Sequence, residues 1–186
     1  MTEPLPSHAP PLPPAAVSLL RKLSEQRVEF VLVGPLAAAV HGCPPTGERL
    51  EVVPARFSRN IDRLARAVRG VGAKWHDRSD ASAQPVDLTA QRLSTLGRWP
   101  LSTDLGELEV DFEPPGTAGH LDLFEGAHRF ALARGLGVDV AAAADLLRIA
   151  EMRSAPGDET VAVALRGVLA HRAGRIRLAA TESPTV

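Results

Sequence analysis

The sequence predicts an α+β chain, a mixed β-sheet flanked by helices and closed by two C-terminal helices. Three observations predict it. Segments of helical period alternate with short runs of β-forming residues along the whole chain. Trp99–Thr103 and Glu107–Glu113 flank Asp104-Leu105-Gly106, a hairpin-like connection that makes at least one strand pair antiparallel. The 186 residues are 45% hydrophobic and 23% charged, enough for one buried core and unlike a disordered or fibrous chain.

The elements follow in order. Residues 1–14 hold six prolines and read as a disordered, polyproline-like tail before a single domain over 15–179. Ala15–Gln26 places Val17, Leu19, Leu20 and Leu23 beside Arg21, Lys22 and Glu25, an amphipathic helix. Val28–Val33 is a buried strand that stops at Gly34-Pro35. Leu36–His41 is a short Ala-rich helix closed by Gly42, and Cys43–Gly47 is a turn. Arg49–Val53 is a second strand, ended by Pro54. Asn60–Val71 is a helix with Ile61, Leu64, Ala65 and Val68 inward and Arg63, Arg66 and Arg69 outward. Gly70-Val71-Gly72-Ala73-Lys74 lacks the spacing of a P-loop and reads as a helix end leading into a strand.

Residues 76–86 are polar and predict a surface loop. The hairpin over 99–113 ends at Pro114-Pro115-Gly116. His120–Ala127 predicts a short helix, and His128–Ala133 and Gly137–Val140 predict short strands. Ala141–Met152 and Glu159–His171 are the last two helices. Residues 180–186 read as a second disordered tail.

Composition excludes several classes of function. The net charge of −1 gives no strong global field toward nucleic acid or membrane. Aromatic residues are 4% and Tyr is absent, which leaves few platforms for base stacking. No window reaches the ~18 apolar residues of a membrane span, and no basic region precedes an apolar run, so neither an anchor nor a signal peptide is expected. The single cysteine, Cys43, cannot pair within the chain, which makes a reducing cytoplasm the expected compartment.

Two strands carry the candidate chemistry. In Glu107-Leu108-Glu109-Val110-Asp111-Phe112-Glu113, Leu108, Val110 and Phe112 share one face and the acids share the other. In Arg49-Leu50-Glu51-Val52-Val53, Arg49 and Glu51 share a face. If the strands are neighbours, Arg49, Glu51, Glu109 and Asp111 converge. Converging carboxylates hold a hard divalent ion beside phosphates, and two such ions can clamp a phosphoryl transfer. Taken alone, an acidic strand face is more often simply solvated.

The stretch VEFVLVGPLAAAVHGCPPTGERLEVVP, residues 28–54, resembles the signature of minimal nucleotidyltransferases of the abortive-infection (AbiEii) type, which share the DNA polymerase beta-like fold. That signature is a strand, Gly-Gly or Gly-Ser, a short helix ending His-Gly, and a strand bearing Asp-x-Asp. TDLGELEVDFEPPG at 103–116 is similar to the element that supplies the third carboxylate, and VDVAAAADLLRIAEMRSAPGD at 138–158 to the closing helix and its Arg-Pro-Lys-Asp turn. The resemblance covers about residues 15–172. It implies metal-dependent transfer of a nucleoside monophosphate from a nucleoside triphosphate to a hydroxyl or RNA end, with Mg²⁺ as cofactor. Nucleotide or RNA, and an antitoxin-like protein, would be the partners of a toxin–antitoxin member.

The departures from the signature are specific. Counted from His41-Gly42, the first Asp falls on Arg49, the second on Glu51, and the third carboxylate on Glu109. Gly34 survives from the phosphate loop, but Pro35 follows it and has no N–H to offer. Ala155 and Gly157 replace the Arg and Lys of the closing turn, and Asp158 remains. The resemblance therefore implies a degenerate metal site: Glu51 and Glu109 are the carryover ligands, Asp111 is a nearby spare, and Arg49 is an internal counterion that cannot ligate a metal. The expected function is a pseudoenzyme or altered transferase. One alternative is an active enzyme using Glu51, Glu109 and Asp111; another is a non-catalytic nucleotide- or partner-binding module.

His41 is expected to cap or pack. Cys43 has no identifiable base, and His120 and His128 lack zinc-ligand spacing. Arg166, His171, Arg172, Arg175 and Arg177 make a basic C-terminal end, expected to complement a helix terminus rather than bind RNA.

Overall fold

The computed structural model describes residues 11–76, 83–84 and 87–181, with side chains described at 11–75 and 87–174. The proline-rich residues 1–10, most of the expected loop 76–86, the tail beyond 181, and the side chains of Arg175 and Arg177 lie outside the described residues.

The first half of the chain gives α1 (Pro14–Glu25), β1 (Phe30–Val33), α2 (Gly34–Val40), β2 (Leu50–Pro54), α3 (Ser58–Gly70), β3 (Lys74–His76) and β4 (Ala83–Gln84). The second half gives α4 (Ala90–Leu93), β5 (Arg98–Thr103), β6 (Gly106–Asp111), α5 (His120–Gly126), β7 (His128–Ala133), β8 (Leu136–Val140), α6 (Ala143–Arg153) and α7 (Asp158–Thr181). Among the described residues the strands form one sheet in the order β4-β3-β5-β6-β2-β1-β8-β7. β2–β6 and β1–β8 are parallel and the other pairs antiparallel. The fold is the expected α+β arrangement, a mixed sheet flanked by helices that include the C-terminal pair.

The centre of the sheet follows from its sequence. Phe-Val-Leu-Val of β1 is buried at every position, as a strand covered on both faces must be. β2 is equally buried, and that includes Glu51 at its second position. α1 sets Ala16, Leu19, Leu20 and Leu23 against the core, and α3 sets Ile61, Leu64, Ala65 and Val68. Leu12 is also buried and α1 begins at Pro14, so packing starts a few residues before the boundary expected at Ala15.

Two buried polar side chains fix the layers. Asn60 of α3, fully buried, accepts from Glu29 N at 2.8 Å and donates to Glu29 O and Ala55 O, both at 2.8 Å. It ties α3 to the chain on either side of the β1–β2 pair, with its amide groups bonded as burial demands. Trp99 of β5, also buried, donates from Nε1 to Leu93 O at 3.0 Å and so anchors α4. Among the described residues no helix is long and apolar enough to cross a membrane.

Candidate functional site

The parallel pairing of β2 with β6 sets Glu51 directly beside Glu109. Strand alternation then places Asp111 on the face of Glu109, and Arg49 enters from just before β2. The convergence expected from sequence is therefore present. The solvated acidic face is not: Glu109 is 0% exposed, Glu51 2% and Asp111 7%, while Glu107 and Glu113 at the ends of the run are exposed.

Buried carboxylates need partners, and these have arginines. The Arg49 guanidinium donates to Glu51 Oε1 from Nη2 at 2.5 Å and from Nε at 3.2 Å, and its Nε lies 3.3 Å from Glu109 Oε2. Arg153, the last residue of α6, donates to Glu51 Oε2 at 2.8 Å. Arg98 of β5 pairs with Glu109 Oε1. All four carboxylate oxygens of the Glu51–Glu109 pair thus face a guanidinium.

Arg153 also holds Asp158 in a fork, Nε to Oδ2 at 3.0 Å and Nη2 to Oδ1 at 2.8 Å. Asp158 Oδ2 takes a further bond from Ala155 N at 2.8 Å, which closes the turn between α6 and α7. Burial works against the charge on Arg153, but its bonds to Asp158 and Glu51 outweigh that and keep it protonated above the usual arginine range. The same opposition, burial against Glu51 and Glu109, leaves Arg49 raised as well.

Asp111 stands apart. Its Oδ1 accepts from Glu113 N at 3.0 Å, and no arginine forms an ion pair with it among the described residues. Burial pushes its carboxyl up from the ordinary aspartate value, and the charges of Glu109 and Glu51 add to the push. The Glu113 N–H and the charge of Arg98 oppose it.

Gly34 opens α2 with φ +74°, a left-handed conformation that suits glycine. A Cβ there would lie 2.5 Å from Glu51 Cδ and 2.6 Å from Oε2. The carboxylate of Glu51 therefore fills the space directly over Gly34. Pro35 sits within the first turn of α2 rather than ending the preceding strand, so the helix starts two residues before the expected Leu36. A cleft of about 440 Å³ reaches this cluster, lined by Pro35, Glu48, Arg49, Glu107, Arg153 and Asp158 among others.

The donor set does not fit a divalent cation. Mg²⁺ needs free carboxylate oxygens, and those of Glu51 and Glu109 are engaged by three arginines that carry charge of the wrong sign. Among the described residues no group of three or more His, Cys, Asp or Glu side chains is placed to hold a metal ion. Sequence reasoning found Arg49, Glu51, Glu109 and Asp111 but missed Arg98 and Arg153.

His41 and Cys43 are packed into the fold. His41 is buried, with Nε2 2.8 Å from Ala141 O and Nδ1 3.2 Å from Arg172 Nη2. A guanidinium only donates, so Nδ1 accepts and Nε2 carries the proton to Ala141 O. The ring also meets Phe130 edge-on at 5.5 Å. Cys43 is buried beside a cavity of about 950 Å³, and burial pushes its thiol up against the pull of Arg172, the opposite of an activated nucleophile. Arg166 is paired with Glu151. No family model matches the chain, and no curated protein matches it in sequence.

Proposed function

We propose that this protein is a non-catalytic member of the nucleotidyltransferase fold, in which an internal guanidinium has taken the place of the metal. One observation carries the reading: Arg49 reaches both Glu51 and Glu109, the two positions that the family resemblance marks as metal ligands. The mixed sheet agrees with the resemblance, because it sets the second strand parallel to the strand that bears the later carboxylate. A guanidinium cannot coordinate a metal, and it stays protonated at any physiological pH. With no free ligand pair, neither Lewis-acid activation nor a two-metal clamp has a place to form.

The reading in which Glu51, Glu109 and Asp111 act as a shifted catalytic triad finds less support, because two of the three carboxylates are already bonded. The decisive experiment incubates the full chain with Mg²⁺ or Mn²⁺, each labelled nucleoside triphosphate, and total RNA or protein. No label transfer is expected. Transfer that disappears in Glu51→Gln would overturn the proposal and restore an enzyme. Calorimetry with Mg²⁺ gives a second check. The wild type should show no saturable heat, and Arg49→Ala should lose stability; an Arg49→Ala chain that keeps its stability and gains Mg²⁺ binding would remove the internal-counterion idea.

A further inference from the structure

A second charged region lies at the other end of β1, among the end of α1, α3, α5 and the β7–β8 pair. It is a cleft of about 530 Å³, within the size range of small-molecule sites. Its charged lining is three arginines, Arg27, Arg63 and Arg129, against two acids, Glu29 and Asp139, a balance of 3 − 2 = +1. Arg129 is committed: it donates to Asp139 at 2.8 Å and to Gly137 O at 2.9 Å. Arg63 is paired with an acid only loosely. Its contact with Glu29 is 3.4 Å, and Glu29 is 58% exposed, so the acid is free to swing into water. Arg27 makes no hydrogen bond or ion pair through its guanidinium among the described residues.

The backbone of Arg27 makes that idle guanidinium informative. Arg27 N donates to Ser24 O at 2.9 Å and Val28 N to Leu23 O at 3.0 Å, the crossed bonds that close a helix. The residue between them is left-handed, with φ +56°, a place that glycine takes at least cost. Arg63 Nη1 donates to Arg27 O at 3.1 Å and holds the turn. The chain therefore keeps an arginine in a left-handed turn although its guanidinium makes no hydrogen bond or ion pair among the described residues. Backbone strain of this kind clusters at ligand clamps and other functional positions.

Another part of the cleft lining is aromatic and neutral. His120 and Phe124 are stacked, with ring centroids 5.5 Å apart and planes within 13°, and Phe124 is 49% exposed. Burial pushes the His120 imidazole down, against Glu29 and Asp139, so the shelf stays uncharged. A cationic pair and an exposed aromatic ring lining one cleft suit a ligand that joins an anion to a planar ring.

We propose that this cleft binds a mononucleotide, its base on the Phe124 shelf and its phosphate dianion between Arg27 and the unused N–H groups of Arg63. Displacement of Glu29 gives the dianion two cations. The site is independent of the carboxylate cluster and of how that cluster is read.

The test is calorimetry on the full chain with adenosine, guanosine, cytidine and uridine monophosphates, and with ribose 5-phosphate, adenosine and inorganic phosphate as fragments. At least one mononucleotide should bind, about tenfold or more tighter than each of its fragments. Arg27→Gly should weaken that binding about tenfold or more while raising the melting temperature, since it removes the cation and the strain together. Phe124→Ala should reduce the affinity toward that of inorganic phosphate. Binding unchanged by Arg27→Gly, or an equal affinity for inorganic phosphate, would overturn the assignment. So would the absence of saturable binding by every mononucleotide at millimolar concentration.

Discussion

At the C-terminal end of β1, Glu51, Glu109 and Asp158 are buried and matched by Arg49, Arg98 and Arg153, acid for base. At the N-terminal end, Arg27 projects into a cleft with no partner among the described residues and a left-handed backbone beneath it. The two ends treat charge in opposite ways. Charges taken out of water must be paired or they unfold the chain, so the first set is explained by folding once it is buried. A charge left at the surface has no such constraint. When the chain accepts backbone strain to keep it, folding does not explain it. The carboxylate cluster thus has the familiar residues of a site but few free groups, and the cleft has free groups but no familiar motif.

The largest effect should come from opening the saturated end. Arg153→Ala leaves both Glu51 and Asp158 short of a cation, in a place where Arg153 itself is only 11% exposed. Losing one partner of a buried pair costs ~3–5 kcal/mol, which for a chain of this length is a fall of roughly 10 °C in melting temperature. Thermal unfolding measures it directly. A fall of less than about 2 °C would mean that the cluster is loose and its carboxylates accessible, and the contrast between the two ends would collapse.

Gly34→Ala comes next. The added Cβ meets the Glu51 carboxylate at 2.5–2.6 Å while φ stays at +74°. The left-handed alanine costs ~1 kcal/mol, and displacing Glu51 from Arg49 and Arg153 adds to that. A loss of about 2–3 kcal/mol in urea unfolding is expected. A neutral outcome would show that Glu51 can leave Gly34 freely, which is what a phosphate-binding loop would need.

Much of this arrangement was legible in the sequence, and the gaps have physical causes. The buried strand before Gly34 and the hairpin around Asp104-Leu105-Gly106 follow from apolar runs and turn chemistry. α4 escaped because four residues are too few to show a period. α2 was expected two residues late because Gly-Pro reads as a break, although proline in a first helical turn is favourable. Glu51 and Glu109 were visible through strand alternation. Arg98 was within reach: pairing Thr103 with Gly106 and counting back puts Arg98 opposite Asp111. Arg153 was not, since 102 residues separate it from Glu51 and only the folded chain brings α6 over β2. Arg27 is invisible to pattern reading, because only its φ distinguishes it from any exposed arginine at a helix end.

Relieving the strained end should have a smaller effect of opposite sign. Arg27→Gly lets the α1 terminus relax and deletes no contact of the guanidinium. A gain of about 0.5–1 kcal/mol is expected, net of the extra freedom glycine has when unfolded. A loss of stability would mean that the Arg27 side chain packs usefully after all, and the two ends would then differ in exposure rather than in purpose.

Asp111 supplies the finest test, because it is the one buried acid of the saturated end without an ion pair among the described residues. Burial, then Glu109 and Glu51, hold its folded carboxyl above the ordinary aspartate value of about 3.9. Between the unfolded and folded values the native state holds the proton more often, so stability falls as pH rises through that window. The penalty is fully present above the folded value and absent below the unfolded one. Asp111→Asn keeps an oxygen for the Glu113 N–H and removes the charge. The variant should therefore be slightly more stable than the wild type at neutral pH, with the margin shrinking as pH falls toward about 4. Urea midpoints across that range would show it. If the asparagine is instead less stable at neutral pH, the ionised Asp111 is favourably engaged, and the cluster holds a free working carboxylate that a catalytic reading could use.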